Sequence, residues 1–272
     1  MSALQERGNF VVDMHAHIGD YANFYMPDSS LERLFSIYDQ CHTRCCIVSH
    51  IAGLYSHNFE YANKITAEVV EAYPGRIYGY AVYDPHYAES SLADVKKYIH
   101  RKGFCGVKVY PSGHAYPLDG EQYQPLWEFA SREDVRILAH TWDPNPKSTD
   151  PFDWDSLFAQ PMLLSSVAER FPDLRVVMAH TGGHYDGNRQ AIKAAKTHKN
   201  LHVDICGEPI EYGFIEWVVG ELGSDKIMYG SDQNWIDPRA MVGRVLAASI
   251  STVDKEKILF RNAEKFFGSL LA

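Results

Sequence analysis

The chain has 272 residues, 46% of them hydrophobic and 22% charged, with a formal net charge of −9. This length suits one TIM barrel or two small domains, and the composition is too apolar for a disordered chain. The acidic balance argues against nucleic acid or an anionic membrane as the main partner, because both reward basic patches, and leaves a small-molecule substrate as the expectation.

In chain order, Met1 to Asn9 lacks the charged region, apolar run and small-residue cleavage site of a secretory signal. No apolar stretch approaches the ~20 residues that span a bilayer, so a cytoplasmic location is expected. The first strand is predicted over Phe10–His15, followed by a helical period in Ser30-Leu-Glu-Arg-Leu-Phe-Ser-Ile-Tyr and a second strand over Cys45–Ser49. Apolar residues recur every three or four positions in Asn63-Lys-Ile-Thr-Ala-Glu-Val-Val-Glu-Ala-Tyr, and Tyr73-Pro-Gly stops that helix. Strands are predicted next over Ile77–Tyr83, Cys105–Tyr110 and Val135–His140. The stretch from Trp142 to Asp155 reads as a long polar loop, a kind that tends to be functional in compact domains and here is placed to cover a site. A helix over Pro161-Met-Leu-Leu-Ser-Ser-Val-Ala-Glu-Arg-Phe ends at Phe171-Pro-Asp, and the last strands are predicted over Leu174–His180, Leu201–Ile205 and Lys226–Tyr229.

Strands alternating with helices build parallel sheets, and eight such repeats close into a (β/α)8 barrel; an open doubly wound sheet is the alternative. No Gly/Ser-rich linker or low-complexity block divides the chain, so one domain over 1–272 is expected. The five cysteines, Cys41, Cys45, Cys46, Cys105 and Cys206, are odd in number and include no Cys-x-x-Cys pair. They suggest reduced, buried thiols rather than a disulfide framework or a cysteine zinc site.

The first strand runs into Val11-Val-Asp-Met-His-Ala-His17, and side chains two apart on a strand share a face, so His15 and His17 can present imidazoles to one ion. A lone His-x-His fits an edge strand equally well, but other strand ends add to it: Arg136-Ile-Leu-Ala-His140, Arg175-Val-Val-Met-Ala-His180 and Ile227-Met-Tyr-Gly-Ser-Asp232. In a barrel all strand C-termini meet at one mouth, where active sites are built. His50, His86, His114 and His184 also fall at or after strand ends. Such a gathering of imidazoles and a carboxylate is what a metal-centred pocket needs.

The ordered set of His-x-His, Gly106-Val-Lys-Val-Tyr-Pro, Ala139-His, Ala179-His-Thr-Gly-Gly, Gly230-Ser-Asp and Lys257-Ile-Leu-Phe-Arg-Asn-Ala resembles the amidohydrolase-related branch of the amidohydrolase superfamily over nearly the whole chain. The resemblance implies a TIM barrel and a divalent metal, usually zinc, with one ion favoured and two allowed. It implies His15, His17, His140 and Asp232 as metal ligands, and His180 as the residue that orients bound water or ligates a second ion. The activity implied first is hydrolysis of an amide, ester or lactone bond, with Asp232 as base and His180 polarising the scissile carbonyl. Nonoxidative decarboxylation of an aromatic-type acid is the alternative, and a non-catalytic metal-binding barrel a weaker one, since a structural ion needs no extra acid–base group at an open position.

Lys108 shares its parity with Tyr110 on the fourth strand. If it points inward it can be carbamylated between two ions, bind a substrate carboxylate, or form a structural ion pair; carboxylate binding is preferred, with Tyr110 and His114 as further substrate contacts. Asp204 and Cys206 share a face and either line the pocket or form an interior polar layer. Asp13 is read as a partner fixing an imidazole or as a plain strand-start carboxylate. His50 and His86 are substrate contacts or loop caps. Tyr21, Phe24, Tyr25, Tyr55, Tyr83, Tyr110, Tyr116 and Trp142 fall near the predicted mouth, where they suit a planar substrate or simply pack the rim or a dimer interface. A homodimer is the prior for oligomeric state.

Overall fold

The computed structural model describes residues 10–20, 25–143, 157–184, 186–207 and 211–271. The expectations for Met1 to Asn9, Tyr21, Phe24 and most of the 142–155 loop therefore lie outside the described residues. Eight strands form one parallel sheet in sequence order: β1 (Val11–Ile18), β2 (Thr43–His50), β3 (Ile77–Val82), β4 (Phe104–Val109), β5 (Arg136–Ala139), β6 (Val176–Met178), β7 (Leu201–Asp204) and β8 (Ile227–Met228). The sheet closes on itself. Met14 N–H donates to Tyr229 O at 3.1 Å and Asp232 N–H to His15 O at 2.9 Å, while Ala16 bridges Gln233 in parallel. The barrel, rather than the open sheet, is the architecture.

The helices follow the predicted alternation: α1 (Leu31–Gln40), α2 (Ile51–Tyr55), α3 (Phe59–Ala72), α4 (Ala88–Tyr98), α5 (Pro111–His114), α6 (Gln124–Arg132), α7 (Leu163–Arg170), α8 (Asp186–Thr197), α9 (Phe214–Leu222), α10 (Pro238–Ala247), α11 (Thr252–Glu256) and α12 (Asn262–Phe267). Local chemistry starts and stops them. Ser30 caps α1 by accepting from Arg33 N–H at 3.2 Å, and Leu34, Ile37 and Tyr38 bury one face at helical spacing. Pro74 follows the end of α3, and Gly75 takes the left-handed conformation at φ +77° that turns the chain back into β3.

The barrel is sealed at the ends where its strands begin. Phe267 of α12 is buried against Tyr80, and the Phe266 carbonyl accepts from Arg136 Nε at 3.1 Å and Arg175 Nη1 at 3.4 Å. The opposite, C-terminal ends of the strands are left to the polar groups of the mouth. All five cysteines are free and buried, and no described helix is long and apolar enough to cross a membrane.

The predicted strands match those observed to within about three residues, and the two shifts at the mouth matter. β1 runs on to Ile18, so His15 and His17 stand inside a strand. β6 stops at Met178, which leaves His180 beyond the sheet in a tight turn.

Candidate metal centre

Six strands or their extensions bring polar side chains to one buried cluster at the mouth. From β1 come His15 and His17, from β4 Lys108, and just after β5, β6, β7 and β8 come His140, His180, Cys206 and Asp232, with Asp204 closing β7. Asp232 Oδ1 lies 3.1 Å from His17 Nε2 and 3.5 Å from His15 Nε2. His140 Nδ1 is 3.1 Å from His180 Nε2. Lys108 Nζ reaches inward to within 2.8 Å of His15 Nε2, which answers the question of which way its strand faces.

Two of these residues are held in unusual backbone conformations. His180 and Asp232 are left-handed at φ +59° and +60°, as is Thr181 at +47°. Outside glycine such a conformation costs about 1–3 kcal/mol per residue and persists only where neighbours over-determine it. They do so here. Asp204 Oδ1 accepts His180 N–H at 2.7 Å, Asn188 Nδ2 donates to Thr181 O at 2.9 Å, and Asp232 N–H is tied to β1. The strain turns both side chains off their strands and into the mouth. Glycines make the close approaches: a Cβ on Gly207 would stand 2.4 Å from His180 Nδ1, and one on Gly230 would stand 2.6 Å from His15 Cβ.

A second layer aims the imidazoles. Asp204 Oδ2 holds His15 Nδ1 at 2.9 Å, and Ser49 Oγ holds His17 Nδ1 at 3.0 Å, leaving each Nε2 toward Asp232. Trp235 stacks on His17 at 4.9 Å and 23°, and Trp142 lies parallel to His140 at 6.1 Å and 6°. Burial lowers the His15, His17 and His140 pKa values, so these rings are neutral and keep a lone pair for an ion. Burial pushes Asp232 the other way, but its contact with His17 and its interactions with His180 and His15 outweigh it and hold the carboxyl well below its usual range. Asp204, likewise pushed up by burial, is brought down to about 2 by His15. Burial brings the Lys108 ammonium down to about 8.

The donor set fits a divalent ion. His140 Nε2 is buried without a hydrogen bond among the described residues, and buried polar atoms without partners are rare. Neutral imidazoles beside an ionised carboxylate are the ligands such an ion takes. His15, His180, Cys206 and Asp232 each offer a ligand atom within 4.8 Å of the others, a different quartet from His15, His17, His140 and Asp232. We favour the set containing His17 and His140. Cys206 Sγ sits 2.9 Å from His15 Nδ1, the edge of that ring already engaged by Asp204, whereas His15 Nε2 faces Asp232.

Other expected residues fall in different places. Tyr110 packs its ring on His140 at 4.6 Å and donates its hydroxyl to Tyr55 at 2.8 Å, on the mouth wall. His114 is not brought to this cluster: it is buried with Nε2 3.0 Å from Gly53 O, beside Asp84 and His57. Its turn folds inward because Gly113 packs directly under the Tyr110 ring. His50 caps α2 through Nδ1, which accepts from Ala52 N–H at 3.1 Å. Asp13 touches no imidazole ring. An irregularity in β1 between Asp13 and Ala16 turns its side chain toward Tyr38 Oη at 2.7 Å and Ser231 N–H at 3.0 Å, and its link to His15 is through that residue's backbone N–H. Asp204 has the imidazole-fixing part expected of Asp13. Trp235 and Ser49 were not singled out from the sequence; the aromatic three residues after Asp232 was the only signal for the first.

The amidohydrolase family profile matches residues 12–269. The chain is 24% identical over 239 residues to a 2-amino-3-carboxymuconate-6-semialdehyde decarboxylase of Dictyostelium discoideum, covering 77% of this chain and 66% of that protein. It is 22% identical over 244 residues to a gamma-resorcylate decarboxylase of Polaromonas sp. (strain JS666 / ATCC BAA-500), covering 76% and 74%. A crystal structure of dihydroxybenzoic acid decarboxylase from Polaromonas sp. JS666, with bound manganese and the inhibitor 2-nitroresorcinol, superposes with a TM-score of 0.75 at 20% identity, covering 95% of this chain and 97% of that one. The curated relatives are decarboxylases, so the hydrolase expectation is supported only as far as the family, and zinc only as far as a divalent metal.

Proposed function

The chain belongs to the amidohydrolase family, and from that premise we propose that it is a divalent-metal-dependent, nonoxidative decarboxylase of a small aromatic-type carboxylic acid. The observation that carries this reading is Lys108, a buried ammonium 2.8 Å from His15 Nε2 inside a wall of rings. Asp232 and Asp204 already act on this cation from within the cluster, and a substrate carboxylate adds an anion at the mouth where a neutral amide or lactone does not. The ring wall of Tyr55, Tyr110, Trp142 and Trp235 suits a planar acid. The names of the curated relatives agree with this choice over hydrolysis.

In this reading His15, His17, His140 and Asp232 hold the ion, with donors that accept zinc or manganese. When bound, it would polarise the oxygens of the substrate. Lys108 pairs with the substrate carboxylate and fixes its orientation, and Tyr110 and Trp142 press the ring flat and keep water out. The bond to the carboxyl carbon breaks, its electron pair stays on the ring carbon, carbon dioxide leaves, and that carbon takes one proton. Asp232, held ionised, keeps its place as a ligand. The proton then comes from the His180 imidazole, whose backbone is pinned by Asp204, and solvent restores it.

The test is incubation of metal-loaded protein with 2,6-dihydroxybenzoate and related hydroxylated aromatic acids, with carbon dioxide release measured beside hydrolysis of lactones, esters and amides. Carbon dioxide release that is lost on chelation and that needs a higher acid concentration in Lys108→Met is the expected result. Hydrolysis without decarboxylation would return the reading to a metal-dependent hydrolase.

A further inference from the structure

A second group of ligand-type side chains stands apart from the mouth cluster. Asp84 follows β3, His57 lies between α2 and α3 in a left-handed conformation, and His114 ends α5 after β4. Each offers one ligand atom, and these lie within 4.8 Å of one another. Asp84 is fully buried, with His57 Nδ1 at 2.7 Å and His114 Nε2 at 3.9 Å from its Oδ2. Among the described residues no lysine or arginine pairs with its carboxylate; Oδ1 accepts the His86 N–H at 2.9 Å, and its own N–H donates to the Ser91 hydroxyl at 2.8 Å.

A buried carboxylate needs a cation or a full set of hydrogen bonds. The groups facing Asp84 are imidazoles, which supply a cation only when protonated or when they share a metal with it. The side chain of His57 is 40% exposed, which gives an ion a path from solvent. His114 is fully buried, and its Nδ1 has no hydrogen-bond partner among the described residues. Its Nε2 lies 3.0 Å from the Gly53 carbonyl and 3.9 Å from Asp84 Oδ2, so ligation through that atom exchanges the carbonyl contact for the ion. Bond lengths of about 2.0–2.1 Å in a tetrahedral zinc site put neighbouring ligand atoms about 3.3 Å apart. The observed separations of 2.7 and 3.9 Å bracket that value, so small side-chain movements accommodate an ion. Exposed His86, its ring 5.1 Å from that of His57, stands close by as a further donor.

We infer that His57, Asp84 and His114 form a second metal site on the barrel rim, for a borderline divalent ion of the zinc class. Two histidines and one carboxylate match zinc, cobalt(II) or nickel(II) better than calcium or magnesium, which prefer all-oxygen shells. The ion ties together the segments that follow β2, β3 and β4. It would therefore brace α5 and Tyr110, which bears on His140. Ion binding here does not depend on which reaction the mouth carries out.

The experiment measures zinc per chain by plasma mass spectrometry after equilibration with buffered zinc and removal of free metal, comparing the parent with His57→Ala and Asp84→Asn. The reading is the difference, so it holds whether the mouth carries one ion or two. About one ion fewer in both variants, with unchanged circular dichroism, is the expected result. Cobalt(II) titration gives a second readout: the visible absorption of the last-filled site disappears in His57→Ala. Equal metal counts in the parent and a folded His57→Ala would overturn the site and leave an ordinary histidine–carboxylate pair at the rim.

Discussion

The two poles of the barrel are built from the same strands and differ in what they demand of the chain. At the base, Phe267 is buried on Tyr80 and the Phe266 carbonyl collects Arg136 and Arg175. Apolar area and satisfied carbonyls stabilise that end. At the mouth the strands end in neutral imidazoles, ionised carboxylates and a buried lysine, two of these residues on strained left-handed backbone. β7 shows the contrast within four residues: His202 packs edge-on to Phe266 near its start, and Asp204 holds His15 at its end. The base supplies stability that the mouth gives up for chemistry.

Changes at the mouth should then cost activity and changes at the base should cost stability, and the sharpest test is Asp232→Asn. Loss of a carboxylate that faces His15 and His17 is expected to lower kcat/KM on the order of 10³-fold, with one ion lost from the mouth by plasma mass spectrometry and the melting temperature of the metal-free protein nearly unchanged or raised. A large fall in that melting temperature would break the division between the poles. Phe267→Ala is the converse. Truncating this buried ring should cost about 3–4 kcal/mol in urea unfolding, while kcat/KM below the transition stays near the parent value.

Lys108→Met keeps the volume and removes the charge. If the ammonium binds a substrate carboxylate, KM for the acid should rise about 10–100-fold, as loss of a charge-assisted hydrogen bond predicts, with metal content unchanged. An unchanged KM would assign Lys108 a purely structural part.

The smallest effect expected concerns pH and lies at the base. Burial, helped by the Lys226 charge, lowers His202 to about 4, against about 6.5 in an unfolded chain. Between those values the unfolded state binds the extra proton, so this residue's contribution is present above about pH 6.5 and is lost as pH falls toward 4, by about 2 kcal/mol after allowing for partial exposure. His202→Gln should flatten the acid limb of a urea-midpoint-against-pH curve and leave kcat unaltered at neutral pH. A matching loss of activity would show that the two ends of β7 are coupled.

Much of this architecture was legible in the chain itself. Short apolar runs placed all eight strands, and period-3.6 runs placed three of the helices between them, since burial is patterned locally in the sequence. His15, His17, His140, His180 and Asp232 could be picked out because a barrel sends every strand C-terminus to one mouth, whatever the separation along the chain. Which groups touch was decided in three dimensions. The irregularity in β1 turns Asp13 away from the imidazoles and gives their orientation to Asp204, some 190 residues on. Gly113 folds His114 inward onto Gly53 and Asp84 instead of over the mouth. Parity along a strand fixes a side chain's face only while the strand stays regular, and sequence spacing carries no register between distant strands. Packing across the barrel supplies both, and it alone sets Lys108 against His15 and Trp235 upon His17.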